Sequence, residues 1–540
     1  MSASLASNTS ESRSASRFES LPRVLALLAF VIYLVVALYL SRVLYTWDDE
    51  SAYVALGRLA TTGALSLYQD EMTGQRMPLP FYVEGASQII FGRNLWAARL
   101  FSLVIGIGAL VLTIAVARRL GGDLAGALAG LLLATQGVVV GYYATATYHA
   151  LTATILMAAV WVLLNKDLPN RHALGMAVAS LLFITRTNMF PALPFFFAWA
   201  VLGARSAVEQ AAVVLITVVG PAIFFLSAPT HLKLLAHIPG LNHLVAHVGY
   251  RSILSFSPVD HAGFGRQVWA LAYIARRYES WAVAATGLAL VAALLRLRGR
   301  PILSTPRRRG VAALACLWVW ILVWHFIIWR VNFKYVFPFF SIFAPLAAVL
   351  LGVAFSSLVR REDLPRLGRA VLAVSLIGAL TVSVLFIRHP LLPSPRPRPF
   401  DHDAIQLLDR AALELRTLVP GGERVFLFAQ PMVPYLAGLN APTQQLMSSW
   451  GTLAPARSDE RLIAKSGVWG NDELEQWLGR DLRYAVISSP LLEAVEGIRP
   501  EAVGRMRELL RERFVRMGEI GEPQPLTLEV YRRRGEGNAQ

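Results

Sequence analysis

The 540-residue sequence contains a single cysteine, Cys316, which lies inside an apolar run. One thiol cannot form an intrachain disulfide framework or a thiolate metal site. Charged residues are also scarce, at 16% of the chain, whereas hydrophobic residues make up 55%. A chain with this composition and a mean hydropathy of +0.50 cannot expose most of its side chains to water. These absences exclude a disulfide-stabilised secreted domain and a water-soluble globule.

Motifs for nucleotide and nucleic-acid chemistry are absent too. The chain has no phosphate-binding loop of the Walker type, no Rossmann glycine fingerprint after a strand and no serine nucleophile elbow. Its formal net charge is +16, but the lysines and arginines lie between apolar blocks rather than in a stripe with aromatic residues. We therefore expect no nucleic-acid partner and no nucleotide-driven reaction.

The chain is rich in apolar blocks of about 18 to 22 residues, which is the length a helix needs to cross a hydrocarbon core of about 30 Å. The blocks predict about eleven transmembrane helices and the lipid bilayer as solvent. They lie at about 22–41, 95–117, 124–140, 147–164, 172–186, 188–203, 211–228, 281–297, 311–329, 335–358 and 369–387. The spans 172–186 and 188–203 are short and nearly continuous, so a re-entrant pair or one merged element is an alternative there.

Positive residues between the spans predict the topology. With a cytoplasmic N-terminus, the short inside loops hold Arg118 and Arg119, Lys166 and Arg171, Arg205, the arginines at 296–309 and those at 360–369. Three segments then face outward: about 42–94, about 229–280 and everything after Arg388. We expect the polar, serine-rich residues 1–20 to be a disordered cytoplasmic N-terminus and the first apolar block to be a retained anchor.

The tail after the last span has a different character. Residues 391–400 are rich in proline, which favours an extended linker. Beyond it, Arg424–Phe428 and Tyr484–Ser488 have the pattern of buried strands, and two segments have helical periodicity. The sequence thus predicts an α-helical polytopic membrane domain over 21–390, followed by a small soluble α/β domain over 401–540 that lies outside the cytoplasm.

Three consecutive carboxylates, Asp48, Asp49 and Glu50, follow the first span directly. Acidic groups at a membrane need partners or a water-filled cavity, which makes them candidate functional residues. A carboxylate at the boundary between water and lipid is suited to accept the proton of an incoming hydroxyl. Its acidic neighbours could raise its pKa, bind a divalent cation or orient the acceptor. A solvated acidic loop without function is the alternative.

Several segments resemble the GT-C membrane glycosyltransferases, in particular the glycosyltransferase family 39-like group of protein mannosyltransferases and lipid A aminoarabinose and galacturonic acid transferases. The first outer loop, about 42–94, and the span after it carry most of the resemblance, and weaker matches extend it over most of the chain. The matching residues are Asp49-Glu50, Tyr53, Pro78, Pro80 with Phe81-Tyr82, Phe91-Gly92, Ala98-Arg99 and Ala117-Arg118-Arg119, then Thr185-Arg186-Thr187 and the stretch Arg330–Leu346 with Lys334-Tyr335.

This resemblance implies a GT-C fold and an inverting transfer of a sugar from a polyprenyl-phosphate donor to an acceptor in the cell envelope. It implies Asp49 as the catalytic base, with Asp48 and Glu50 as neighbours in the catalytic loop. Cations are expected to stabilise the leaving phosphate. The candidate substrate-binding residues are Arg76, Tyr53, Arg186, Arg330, Lys334, Tyr335 and His149. Snorkelling toward lipid headgroups is the alternative role for the basic residues among them.

The chain departs from the family pattern at two positions. Met77 stands where the aminoarabinose branch carries a lysine before the proline, with Arg76 one residue earlier. Tyr148 and His149 stand at the start of the fourth span, where many relatives have an acid. His149 is therefore a candidate hydrogen-bond donor or weak ligand, and a structural role is its alternative.

The sequence predicts no metal site. His243 and His247 in the middle loop are four residues apart and would share one face of a helix, but no third ligand is fixed by the pattern. The sequence identifies no cofactor, and a divalent cation near the acids is the one candidate.

The function predicted from these residues is a glycosyltransferase of the plasma (inner) membrane that moves a sugar from a polyprenyl-phosphate donor to lipid A, a polysaccharide, a lipid or a protein. A transporter or flippase of a lipid-linked substrate is the alternative, and it predicts ionisable residues near the middle of the bilayer and broken helices in matching halves. A scaffold that has lost activity is the third possibility. Convergence of Asp49 with a basic group would favour the enzyme.

Overall fold

The computed structural model describes residues 5–46, 48–67, 77–186, 189–227, 305–324, 336–359, 374, 377–378, 380–381, 403–442, 445–446, 471–496, 500–521 and 527–535. The structure gives the bounds of twelve α-helices in the membrane part, and a 3-10 helix, Leu181–Ile184, follows the eighth. They are α1 (Leu5–Val43), α2 (Asp48–Thr61), α3 (Pro78–Ile90), α4 (Leu95–Gly121), α5 (Asp123–Ala134), α6 (Gly137–Tyr143), α7 (Tyr148–Leu164), α8 (Arg171–Ser180), α9 (Ala192–Gly203), α10 (Ala207–Ser227), α11 (Pro306–Val323) and α12 (Val336–Val359).

Four helices of the described part are long and apolar enough to cross a membrane: Ser20–Val43, Leu95–Gly121, Ala207–Leu226 and Phe340–Val359. A fifth candidate is the pair α5 and α6, and α7, α8 and α9 are shorter apolar helices. The chain is therefore a polytopic helical membrane protein, as predicted. The count of eleven spans is not confirmed, since 281–297 lies outside the described residues and 369–387 lies mostly outside them.

The predicted span 124–140 is a broken helix. Its halves, α5 and α6, meet at an angle of 79°. Thr135 and Gln136 form the break, and both are buried in an otherwise apolar setting. The Thr135 hydroxyl donates to the carbonyl oxygen of Leu131, so it competes with the helical hydrogen bonding at this turn. The bend turns α6 and the 144–147 turn toward the start of α2.

The first helix also differs from expectation, because α1 begins at Leu5 and thus includes most of the segment expected to be disordered. The helix runs through Pro22, and residues 5–20 contain no proline or glycine of their own.

The helices α2 and α3 form a tightly packed hairpin after α1. A methyl group on Gly57 would overlap the carbonyl oxygen of Phe81, and one on Gly85 would overlap the carbonyl oxygen of Gly57. Only glycine allows two backbones to approach this closely. The α3 helix starts at Pro78, where a proline is favourable because the first turn has no hydrogen-bond partner for the missing N–H.

The C-terminal part is a small α/β domain, as predicted. Its elements are α13 (Ala404–Leu418), β1 (Val425–Phe428), α14 (Met432–Leu436), α15 (Asn471–Gln476), β2 (Tyr484–Ser488), α16 (Ser489–Glu496), α17 (Pro500–Arg513), β3 (Phe514–Ile520) and β4 (Leu528–Arg533). The sheet has the order β1-β2-β4-β3, in which β1 and β2 are parallel and the other two pairs are antiparallel.

The β1 strand is buried on both faces. Val425 and Leu427 belong to the hydrophobic cluster that continues through α13 and α14 to the α2–α3 hairpin, whereas Phe426 and Phe428 face a second cluster with α15 and α17. A strand that is covered on both sides has the continuous apolar sequence seen at Val425–Phe428. One core thus joins the C-terminal domain to the hairpin that carries the acidic cluster.

Candidate active site

The acidic cluster lies at the N-terminus of α2, which begins at Asp48. The partial positive charge of a helix N-terminus stabilises carboxylates in the first turn. The Asp48 side chain lies outside the described part of the chain. Asp49 is half-buried and Glu50 is completely buried. The neighbouring acids therefore have different surroundings, which gives them different chemistry.

Glu50 forms a bidentate ion pair with Arg99 of α4. The Arg99 Nε donates to Glu50 Oε1 at 2.8 Å, and its Nη2 donates to Oε2 at 2.7 Å. Neither side chain is exposed. The Ala146 backbone N–H donates to Oε1 as well, at 2.8 Å. With both oxygens bound by donors, Glu50 fixes the position of α2 and is poorly placed to accept a proton from a substrate.

Arg99 joins this acid to the end of α1. Its Nη1 donates to the carbonyl oxygens of Ser41 at 2.7 Å and Leu44 at 2.9 Å. These carbonyl groups at the C-terminal end of a helix have no partner within the helix, so the guanidinium both pairs with Glu50 and caps α1. The start of α2, the end of α1 and the 144–147 turn are thereby joined by the Arg99–Glu50 ion pair.

Arg186 lies over an aromatic floor next to Asp49. Its Nη1 donates to the Tyr53 hydroxyl at 3.4 Å, and its guanidinium carbon is 4.1 Å from the centre of the Tyr148 ring. Tyr53 and Tyr148 contact each other edge to face, with ring centres 5.8 Å apart. Tyr53 lies one helical turn after Asp49 on α2, so the guanidinium lies within reach of the Asp49 charge. The predicted base and a predicted phosphate-binding cation therefore lie at one place, on residues from α2, α7 and the turn after α8.

His149 lies behind this floor. Its ring is stacked on Tyr148 with centres 4.0 Å apart, and its Nδ1 is 2.7 Å from the Thr147 hydroxyl. The ring is completely buried. This geometry makes His149 a support for Tyr148, and through Tyr148 for Arg186.

Four of the predicted substrate-binding residues lie outside the described residues: Arg76, Arg330, Lys334 and Tyr335. Their roles stay predictions, as do those of the middle-loop histidines. In the part of the chain that the structure describes, no three His, Cys, Asp or Glu side chains form a group that could hold a metal ion.

Sequence reasoning gave no role to Glu84, a completely buried carboxyl group on α3. Its Oε1 accepts a hydrogen bond from the Ser102 hydroxyl at 2.6 Å, whereas its Oε2 has no partner among the described residues. Burial, reinforced by the charge of Glu50, raises the pKa of Glu84 to about 8 although the Ser102 bond lowers it. In the sequence, Glu84 stands out as the one acidic residue in the largely apolar segment Pro78–Ile90, and this could have indicated a special role.

Comparisons with known proteins give the fold a name. No protein-family model matches the sequence, and no curated protein sequence matches it. Among solved structures, the chain is similar to ArnT from Cupriavidus metallidurans in the apo state, with a TM-score of 0.54 and 12% identity over 94% of this chain and 97% of ArnT. ArnT bound to undecaprenyl phosphate gives a TM-score of 0.51 and 13% identity over 96% and 99%. The archaeal oligosaccharyltransferase AglB from Archaeoglobus fulgidus, in complex with an inhibitory peptide and a dolichol-phosphate, gives a TM-score of 0.49. The identity is 12% over 93% of this chain and 75% of AglB.

The similarity to ArnT extends over nearly the full length of both chains. The protein therefore has the fold of the GT-C polytopic membrane glycosyltransferases, as the resemblance of the first outer loop implied. At this level of identity the similarity defines the fold, and the chemistry has to be argued from the side chains.

Proposed function

We propose that the protein is a membrane glycosyltransferase that moves a sugar from a polyprenyl-phosphate donor to an acceptor hydroxyl or amine outside the cytoplasm. The observation that carries this proposal is the position of Arg186, whose guanidinium binds the Tyr53 hydroxyl one helical turn from Asp49. A carboxylate that accepts a proton and a cation that binds phosphate are the two groups that such a transfer needs at one place.

Asp49 acts as the general base. Its carboxylate accepts the proton of the acceptor group, whose oxygen or nitrogen attacks the anomeric carbon of the donor sugar. The new bond forms as the bond between the anomeric carbon and the phosphate oxygen breaks, so the configuration inverts. The electron pair leaves with the phosphate, and polyprenyl phosphate is the second product. Glu50 is excluded from this role because Arg99 and the Ala146 N–H already bind its carboxylate.

Arg186 stabilises the negative charge that develops on the leaving phosphate. A planar guanidinium presents two parallel donors to phosphate oxygens. The Tyr53 and Tyr148 side chains hold it in position, because one accepts its hydrogen bond and the other lies under its face. Charge stabilisation by a positioned cation in a site with little water contributes several kcal/mol to such reactions.

We further propose that the reaction takes place at the outer surface of the plasma membrane, where the C-terminal domain also lies. The short loops rich in arginine support a cytoplasmic N-terminus. A lipid-linked donor fits a site that is built at the end of apolar helices, because the polyprenyl chain stays in the bilayer while its phosphate reaches Arg186. The acceptor is an envelope lipid, polysaccharide or protein.

Mass spectrometry of envelope lipids and glycans tests the proposal. Extracts from cells that produce the wild-type chain are compared with extracts from cells that produce Asp49→Asn at the same level. We expect the variant cells to accumulate a polyprenyl-phosphate sugar and to lose one sugar from an acceptor, which also identifies both substrates. Equal pools in the two strains would reject the transferase, and a change in the sidedness of the lipid-linked sugar alone would favour a flippase.

A further inference from the structure

The C-terminal domain contacts the acidic loop through a buried polar network. Tyr435 of α14 is buried, and its hydroxyl donates to Gln88 Oε1 at 3.1 Å. Burial raises the pKa of Tyr435 to about 12, against the lowering effect of the nearby Arg58 and Arg93, so the phenol keeps its proton and remains a donor. A buried polar group with a partner across a domain boundary fixes the relative position of the two parts.

On the membrane side, Gln88 uses both ends of its amide. Its Oε1 also accepts from the Asn94 N–H at 3.0 Å, and its Nε2 donates to the Asn94 carbonyl oxygen at 3.0 Å. Gln88 thereby links α3 to the N-cap of α4. Its own carbonyl oxygen accepts a hydrogen bond from Arg58 of α2. The phenol of Tyr435 thus bonds to a side chain that already joins α2, α3 and α4.

Arg93 adds a second link between the domains. Its Nη1 donates to the carbonyl oxygens of Tyr435 at 3.2 Å and Leu439 at 3.4 Å, and its guanidinium carbon is 5.4 Å from the centre of the Tyr435 ring. The loop before α4 therefore holds both the backbone and the side chain of α14.

A third link lies directly before the acids. The Gln430 Nε2 donates to the Thr46 carbonyl oxygen at 2.7 Å. Thr46 is three residues ahead of Asp49 on the chain, and its hydroxyl is 3.4 Å from that of Ser51 in the first turn of α2. The domain thus binds the acidic segment at its N-terminal side through Gln430 and the α2–α3 hairpin through Tyr435.

We propose that Tyr435 and Gln430 are positioning residues, through which the docked C-terminal domain holds Asp49 at the angle and distance that the transfer requires. This inference rests on the proposed function of Asp49. Displacement of a catalytic group by about 1 Å costs up to about a hundred-fold in rate. A neutral hydrogen bond contributes little to the stability of the whole chain, so the loss of these two leaves the chain folded.

The test compares Tyr435→Phe, Gln430→Ala and the double variant with the wild-type chain, each as the full chain in lipid nanodiscs. The donor is the polyprenyl-phosphate sugar identified by mass spectrometry, and release of polyprenyl phosphate is measured. We expect kcat to fall about ten-fold in the double variant, while the donor KM changes less than about two-fold, because neither side chain contacts the donor. Tyr531→Phe and Gln406→Ala are the matched controls. Tyr531 bonds to Glu529 within the domain, and Gln406 is exposed on α13.

Hydrogen exchange provides a readout that does not depend on activity. In the double variant we expect faster amide exchange in residues 45–61 and unchanged exchange in the sheet. Unchanged exchange at 45–61, or wild-type kcat in the double variant, would overturn the positioning role. Altered exchange together with a wild-type chain that releases no polyprenyl phosphate would instead reject the proposed function and leave the docking contact established.

Discussion

Arg99 and Glu50 bind each other through two parallel hydrogen bonds of 2.8 and 2.7 Å, and water reaches neither side chain. The pair lies one residue from the proposed base and joins the second and fourth helices. A buried ion pair is stable only where its geometry is good and its remaining donors and acceptors are bound. Here the carbonyl oxygens of Ser41 and Leu44 accept hydrogen bonds from the remaining Arg99 nitrogen. Its main effect is to fix where Asp49 lies.

Arg99→Met is predicted to destabilise the protein strongly. The substitution leaves the Glu50 carboxylate buried without a counter-charge, which costs about 3–5 kcal/mol of the free energy of unfolding. The measurement is thermal unfolding of the purified chain in detergent. Arg505→Met is the control, because the ion pair of Arg505 with Glu475 lies on the surface, where solvent and salt screen it. Equal losses of stability in the two variants would mean that the Arg99–Glu50 pair contributes no more than a surface ion pair.

The stability of the protein is predicted to fall as pH rises from about 4.5 to about 8 because of Glu84. The folded state keeps this carboxyl protonated up to the higher pKa, whereas the unfolded chain loses the proton near the ordinary value. The protonated Glu84 therefore contributes its full stabilisation below about pH 4.5, and this contribution is lost as the pH rises through about 8. Glu84→Gln removes the titration and should flatten this part of the profile of unfolding temperature against pH. Glu414→Gln, on the exposed face of α13, should keep the wild-type slope, and a Glu84→Gln profile parallel to wild type would contradict the assignment.

Gly85→Ala is predicted to separate α2 from α3. The added methyl group would overlap the Gly57 carbonyl oxygen, so the hairpin that carries the acids has to open. Overpacking of this kind costs about 1–3 kcal/mol, and we expect a lower unfolding temperature together with a large loss of transfer. Gly220→Ala in α10 is the matched control, since a Cβ there meets nothing within 4 Å. Wild-type activity in Gly85→Ala would show that the close approach of the two helices is not needed.

Arg186→Gln is predicted to weaken the donor phosphate site. Loss of the guanidinium should lower kcat/KM for the donor by at least about a hundred-fold, because a charge-assisted contact to the phosphate is removed in the transition state. Arg186→Lys should recover only part of the loss, since an ammonium group keeps the charge but not the planar contact with Tyr148. Steady-state kinetics with varied donor measures both. The control is Arg205→Gln, at an exposed position before α10, and a loss of similar size there would remove the case for a specific role of Arg186.

The pattern of apolar blocks was sufficient to predict a polytopic helical protein, and the alternation of apolar and polar residues was sufficient for the C-terminal α/β domain. These features depend on local sequence, so they can be inferred without tertiary contacts. The strands β3 and β4 were not predicted, because arginine and glutamate on their exposed faces hide the apolar alternation. The bend at Thr135 and Gln136 was missed because two polar residues in a long apolar run do not by themselves indicate a break.

The acidic cluster and Arg186 could be named from the sequence, but their arrangement could not. Glu50 is 49 residues from Arg99, and Tyr435 is 347 residues from Gln88, so each pairing depends on how distant segments pack. The different roles of the two acids follow from these pairings. Both oxygens of Glu50 are bound by donors, whereas Asp49 is half-buried near Arg186.

We propose Asp49 as the base of a sugar transfer. The most direct measurement is the release of polyprenyl phosphate from the identified polyprenyl-phosphate sugar by purified protein in nanodiscs, in the presence of the acceptor. Asp49→Asn is compared with wild type and with Asp123→Asn, which changes an exposed aspartate at the start of α5 that pairs with Arg118. We predict at least about a thousand-fold slower release for Asp49→Asn with an unchanged unfolding temperature, and wild-type release for Asp123→Asn. Release by Asp49→Asn at the wild-type rate would contradict the account.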